Sequence, residues 1–324
     1  MSAVCISDAT SCIDADAARR LNVGALFAIL ITSILGVAVP LLVKGFTQGR
    51  LFFAGRCFSA GIILATGFVH LLPESFDTLG SDCLPEMPWG KFPFAGLIAM
   101  LAVIFTLCMD TMGMTYYTRL NAGMDKDQKN DLELATTASN NGNAVVEPRG
   151  HGGHSHTLDI GVSAEARNKV IAQVLELGII THSVVIGIGM GVLKSPCTIR
   201  PLIAALCFHQ FFEGMALGGC ICLGDFTIKT QAIMAFFFSF TTPAGMAIGL
   251  GIASTYNEFD HKALLIQGFF NSTSSGILVY MALVDLIATD FLSKEFFTSI
   301  PRQVVGYSSL LLGAILMSII GIWA

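Results

Sequence analysis

The chain is poor in charge. Asp, Glu, Lys and Arg make up 13% of its 324 residues, about half the roughly 25% of a soluble domain. Hydrophobic residues make up 53% and mean hydropathy is +0.70. Uncharged stretches long enough to cross a bilayer core of about 30 Å as helix recur along the chain, and this excludes a soluble enzyme. A basic block is also missing, and the net charge of -5 leaves no electrostatic footprint for a nucleic-acid partner. No phosphate-binding glycine loop and no His-Glu-x-x-His occur, which removes the usual signatures of an ATP-driven pump and of a helix-borne zinc hydrolase. Residues 1–20 carry Asp8, Asp14 and Asp16 ahead of Arg19 and Arg20 with no basic n-region, so no signal peptide is expected.

What is present is eight apolar segments, at approximately 21–43, 52–72, 94–118, 168–193, 199–221, 230–252, 263–289 and 301–323. The expected fold is an all-α polytopic membrane protein with eight transmembrane helices in one bundle. Residues 1–20 form an extracytoplasmic N-terminal segment, 21–118 helices one to three, 119–167 a flexible cytosolic loop, and 168–324 helices four to eight. An even number of spans puts both termini on one side. That side carries six Lys and Arg and the opposite side twelve, so the positive-inside rule places the termini outside. The plasma membrane is the expected location.

The cysteines sort by this topology. Cys5, Cys12, Cys83 and Cys197 fall on the outer face, and Cys57, Cys108, Cys207, Cys220 and Cys222 fall in or near spans. The outer side is oxidising, so one or two disulfides among the first four, or free thiols, are both open. The loop 119–167 is rich in Asn, Gly, Asp and Lys with no apolar period, and contains His151-Gly-Gly-His154-Ser-His156. Such a tract chelates a borderline divalent metal weakly, or serves as a solvated linker.

Ionisable groups inside spans cost about 2.5 to 3.5 kcal/mol on insertion scales and usually face a bundle interior or a water-filled path. His182 on span four lies roughly 16 Å, and His209 on span five roughly 15 Å, from the same outer end at 1.5 Å per residue. The short connection near 194–198 makes the two spans antiparallel neighbours. Glu213 follows His209 by four, one turn along the same helix face. Two imidazoles and a carboxylate suit Zn²⁺ or Fe²⁺ better than Mg²⁺ or Ca²⁺. The alternative is that each imidazole bonds a neighbouring backbone group while Glu213 rests in a polar bundle core. Asp110 on span three and Glu176 on span four lie at matched depth toward the cytosol, and Asp285 lies lower still. His70 and Glu74, an i, i+4 pair broken by Pro73, end span two on the outer side. These groups read as a ladder of ligands through the membrane, or as separate helix–helix hydrogen bonds and snorkelling side chains. Gly187-x3-Gly191, Gly214-x3-Gly218 and Gly245-x3-Gly249 read as surfaces for close helix approach. Thr241-Thr242-Pro243 and Asn271 through Ser275 are expected to interrupt spans six and seven.

His182-Ser-Val-Val-Ile-Gly187 together with His209-Gln-Phe-Phe-Glu-Gly214 resembles the signature pair of the ZIP metal transporters, in the branch of zinc- and iron-regulated transporters. His70-Leu-Leu-Pro-Glu74, Asp110 followed by Tyr116-Tyr117, and a His-containing loop between spans three and four extend the resemblance over almost the whole chain. It implies eight helices with outside termini and a transport site between helices four and five. There His182, His209 and Glu213 would be metal ligands, with Ser183 and Gln210 beside them. Some members have a carboxylate where this chain has Ile186, which argues against a second tightly bound metal, and Gly189-Met190 stands where Ser-Leu is more usual.

The reading is therefore an importer that delivers Zn²⁺ or Fe²⁺ to the cytosol by alternating access. The ion is cargo and not a permanently bound cofactor, the partners are metal ions and lipid, and a homodimer is compatible with the chain. A dication moving inward across 100 mV gains about 4.6 kcal/mol, twice the figure for one charge. A membrane metal sensor, or an intramembrane metallohydrolase with Glu213 as general base, are the alternatives.

Overall fold

The computed structural model describes residues 12, 14–42, 49–138, 164–254 and 260–322. Among these residues there is no strand, and eight helices are long and apolar enough to cross a membrane. They are α1 Ala15–Leu42, α2 Arg50–Leu79, α3 Phe94–Ala138, α4 Ala164–Val192, α5 Pro196–Leu223, α6 Ile228–Ile252, α7 His261–Phe291 and α8 Ile300–Ile320. The protein is a polytopic helical membrane protein. A bilayer core leaves no other partner for backbone N–H and C=O groups, so each apolar run closes its own hydrogen bonds as helix.

Four details differ from the sequence reading. First, α3 runs on to Ala138, twenty residues into the segment read as loop. A helix already nucleated in the membrane extends at the cost of propagation alone, and the Met, Lys, Gln, Glu and Leu of that stretch are good helix formers. Secondly, Pro73 does not end α2. The helix widens into a π-type turn over Thr66–Leu71, with the Leu72 amide donating to the Gly67 carbonyl five residues back. The following turn restarts with Pro73 in its first positions, where a missing N–H leaves no bond unmade.

Thirdly, α7 is unbroken through Asn271–Ser275, with the Ser272 hydroxyl donating to the Gly268 carbonyl at 2.7 Å and that of Thr273 to Phe269 at 2.8 Å, so these polar side chains do not compete for the helix's amide donors. The widened turn lies further on, over Met281–Ala288. Fourthly, α6 continues through Thr241, Thr242 and Pro243. The Thr241 hydroxyl bonds the Phe237 carbonyl.

The helices pair by close-approach seams. α1 packs chiefly on α5 and α4 on α6, whereas α2 packs on α8 and α3 on α7. A Cβ at Gly187 would lie 2.5 Å from the Thr242 carbonyl oxygen, and one at Gly191 2.5 Å from that of Met246, so α4 and α6 touch backbone to backbone. Gly218 plays the same part for α5 against the Val37 carbonyl of α1, at 2.7 Å. The small-residue spacings therefore serve packing, the use expected of them in lipid.

At the end of the bundle that holds the α4–α5 connection, a Cys12–Cys197 disulfide joins the N-terminal segment to the start of α5. The Asp14 amide donates to Lys194 O, and Asn22 Nδ2 to Leu193 O, each at 3.3 Å. Cys83 is also disulfide-bonded. Cys57, Cys108, Cys207, Cys220 and Cys222 are free. Cys5 lies outside the described residues.

Candidate metal centre

α4 and α5 are joined by the short connection Leu193–Ser195 and run antiparallel. Their facing surfaces bring His182 of α4 beside His209 and Glu213 of α5. The imidazole centroids are 5.9 Å apart at an interplanar angle of 45°. One ligand atom from each of the three side chains lies within 4.8 Å of the other two. Among the described residues this is the one group of three or more His, Cys, Asp or Glu so arranged.

Burial makes the arrangement telling. His182, His209 and Glu213 are 1%, 1% and 0% exposed. Both ring nitrogens of each imidazole and both oxygens of the carboxylate are buried without a hydrogen-bond partner. Buried polar atoms in native proteins almost always find partners, and an orphaned one costs about 1–3 kcal/mol. The reading in which each His bonds a neighbouring backbone group therefore fails, since no such bond exists. One atom from each of the three orphaned side chains meets the others within 4.8 Å, and imidazole nitrogen with carboxylate oxygen is a donor set that suits Zn²⁺ or Fe²⁺.

Neighbouring groups repeat the pattern. Ser183 Oγ and Gln210 Nε2 are buried without partners, and Gln210 Oε1 accepts from the Thr242 hydroxyl at 3.5 Å. That contact ties the site to α6 at the residue preceding Pro243. His70, in the widened turn of α2, is within electrostatic range of both site imidazoles.

The other residues of the expected ladder have different neighbours. Glu74 Oε1 accepts from Gln267 Nε2 of α7 at 3.1 Å, and Asp110 Oδ2 accepts from the Tyr280 hydroxyl of α7 at 3.0 Å. Each is a helix–helix hydrogen bond, the alternative left open by the sequence. Glu176 is only part-buried on α4. Asp285 is 2% exposed, its Oδ2 has no partner, and it lies within electrostatic range of Asp110 and Arg167. His151, His154 and His156 lie outside the described residues.

Sequence reasoning missed Tyr280, Gln267 and Thr242. A tyrosine, a glutamine and a threonine in apolar spans carry no charge to draw notice. Their partners are 170, 193 and 32 residues away.

Known proteins share nearly the whole length of this chain. Residues 19–321 match the family model described as ZIP Zinc transporter. "Zinc transporter 9" of Oryza sativa subsp. japonica is 45% identical over 96% of this chain and 91% of its own length. "Fe(2+) transport protein 1" of Arabidopsis thaliana is 44% identical over 98% of this chain and 89% of its own. "Fe(2+) transport protein 3, chloroplastic", also of Arabidopsis thaliana, is 41% identical over 98% and 89%. With its eight membrane helices, the paired His motifs of α4 and α5 and a match that leaves only the two ends uncovered, this chain belongs to the ZIP family.

Proposed function

We propose that the protein imports Zn²⁺ or Fe²⁺ into the cytosol, with His182, His209 and Glu213 as the ligands that hold the ion in transit and Ser183 and Gln210 beside them. One observation carries the reading: three buried ligand side chains, orphaned of hydrogen bonds, within 4.8 Å of one another. Relatives named as zinc transporters and Fe(2+) transport proteins support the choice of cargo.

The ligands are 0–1% exposed, so an ion bound there is closed off from both faces and leaves only when helices move. The glycine seams bind α4 to α6 and α5 to α1 more extensively than α4 or α5 to the remaining helices. Alternating access is therefore a displacement of α1, α4, α5 and α6 together against α2, α3, α7 and α8. His70 and Glu74 serve the outer approach, and Asp110, Glu176 and Asp285 the inner exit. During the displacement Asp110 exchanges its Tyr280 bond for the passing ion. The polar segment 119–167 faces the cytosol, where His151, His154 and His156 collect released ion. Both termini are outside, a reading supported by the twelve-to-six distribution of Lys and Arg, and the location is the plasma membrane. A homodimer is compatible with this arrangement.

The test is uptake of labelled Zn²⁺ and Fe²⁺ into proteoliposomes under an inside-negative potential, comparing wild type with Glu213→Ala at matched insertion. Accumulation by wild type alone is the expected result. Absence of accumulation by an inserted, folded wild type would remove the basis of the assignment.

A further inference from the structure

At the membrane boundary furthest from the Cys12–Cys197 disulfide, the first turns of α2 and α8 and the last turn of α7 enclose a cavity of about 740 Å³. This lies within the roughly 300–1,000 Å³ of small-molecule sites. Its charged lining is three arginines, Arg50, Arg56 and Arg302, with two carboxylates, Asp290 and Glu295; Phe52 and Phe53 are among its apolar lining. Nothing in the metal path uses these arginines.

The arginines are only partly neutralised. Arg302 Nη1 is 2.8 Å from Glu295 Oε2, and Arg56 Nε is 3.4 Å from Asp290 Oδ2. Arg302 Nε is buried and makes no hydrogen bond, and the contact with Asp290 is an ion pair without hydrogen-bond geometry at Arg56 Nε. Among the described residues no carboxylate pairs with Arg50, which is exposed. The Arg302 guanidinium lies 4.4 Å from the centroid of the Phe53 ring, a stacking that fixes the plane of its remaining donors.

Helix ends also bear on this charge. Gly49 and Ser299 precede α2 and α8, neither gives a side-chain cap, and both line the cavity. Each helix N-terminus contributes about half a positive charge. Three guanidinium groups and two carboxylates leave one positive charge, and the C-terminal ends of α5 and α7, which reach the cavity at Leu223 and Asp290, offset the two N-termini, so the cavity presents about +1 in all. A phosphate monoester carries about -1.5 to -2 near neutral pH and offers three acceptor oxygens. The apolar part of the lining suits an acyl chain.

We propose that this cavity binds a phosphate monoester, and that the source is the headgroup of an anionic lipid in the cytosolic leaflet. That leaflet carries the anionic lipids, and basic pockets between membrane helices are the usual receptors for such headgroups. The leaflet assignment rests on the orientation proposed above, but the binding chemistry does not depend on metal transport. Occupancy joins α2, α7 and α8, the helices against which α4 and α5 are read to move.

The test is native mass spectrometry of the full chain released from phosphatidylcholine vesicles with and without phosphatidic acid, with inorganic phosphate as a soluble competitor. Wild type is expected to retain phosphatidic acid over phosphatidylcholine. Arg50→Gln and Arg302→Gln should each weaken retention about tenfold, in line with the strength of a charged hydrogen bond. Arg50 is exposed and, among the described residues, no carboxylate pairs with it, so its variant tests the site even if Arg302→Gln fails to fold. Lys229→Gln, outside the cavity lining, should retain the lipid like wild type. Displacement by low-millimolar inorganic phosphate would overturn the lipid source and leave the phosphate site. Equal retention of the two lipids, or retention unchanged by Arg50→Gln, would overturn the proposal. Because the readout is binding, these results are separable from any failure of zinc uptake.

Discussion

Replacing Glu213 by methionine should strengthen the ion-free protein while abolishing its response to metal. Glu213 is 0% exposed and neither carboxylate oxygen has a partner. Even as a neutral polar group, an orphaned carboxyl costs about 1–3 kcal/mol. Methionine has a similar volume and an unbranched, adaptable side chain, so Glu213→Met removes the penalty without opening a cavity. Exchanges of buried charged groups for well-packed apolar ones are often stabilising by about 1–4 kcal/mol. The ion-free variant should therefore melt a few degrees higher than wild type.

Zinc reverses the order. At about 100 times its Kd, zinc stabilises wild type by about 2.7 kcal/mol through mass action alone. The variant, with two imidazoles and no carboxylate, should gain little. The assay is thermal unfolding of both proteins in detergent or nanodiscs across a zinc titration, with chelator as the starting point. The two melting curves should cross as zinc rises. If ion-free Glu213→Met melts well below wild type, Glu213 makes structural bonds absent from this account, and the reading of its orphaned oxygens as metal ligands is refuted.

Two further outcomes are expected. Gly187→Leu forces a side chain into the α4–α6 seam, where even a Cβ would sit 2.5 Å from the Thr242 carbonyl oxygen. It should destabilise by at least the 1–3 kcal/mol typical of overpacking, while Gly189→Leu, with nothing within 4 Å of its Cβ, should be tolerated in the same thermal assay. Metal binding requires neutral imidazole at His182 and His209, and when helix movement opens the site to the outside both rings meet water and titrate as ordinary imidazoles, so uptake should fall as the outside pH drops below about 6. Initial rates at fixed free zinc and fixed potential measure this, and a steep rise in uptake with acidity would instead indicate proton-driven symport.

Much of the site was legible because its parts are local. His209 and Glu213 share a face by helical repeat, and the short Leu193–Ser195 link puts His182 opposite at equal depth. Depth along a span is a count of residues, which any sequence supplies. Rotation about a span's axis is not. Residue counting puts Asp110 and Glu176 at matched depth, yet Asp110 turns toward Tyr280 of α7 and Glu74 toward Gln267. Which neighbour a side chain meets depends on which helices pair.

The amino-acid sequence by itself determined the number of spans, the positions of their charged and histidine residues, and the residue types able to hold a borderline divalent ion. Those follow from hydropathy, from a rise of about 1.5 Å per residue and from ligand chemistry. Only the tertiary structure decided that Pro73 continues α2 through a widened turn, that α3 extends to Ala138, and that Arg50, Arg56 and Arg302 line one cavity. It also decided that the site atoms are left without hydrogen bonds. The physical reason is that a helix is set by bonds within four or five residues, whereas its partners are set by seams such as Gly187 against Thr242, where two distant backbones must approach to contact.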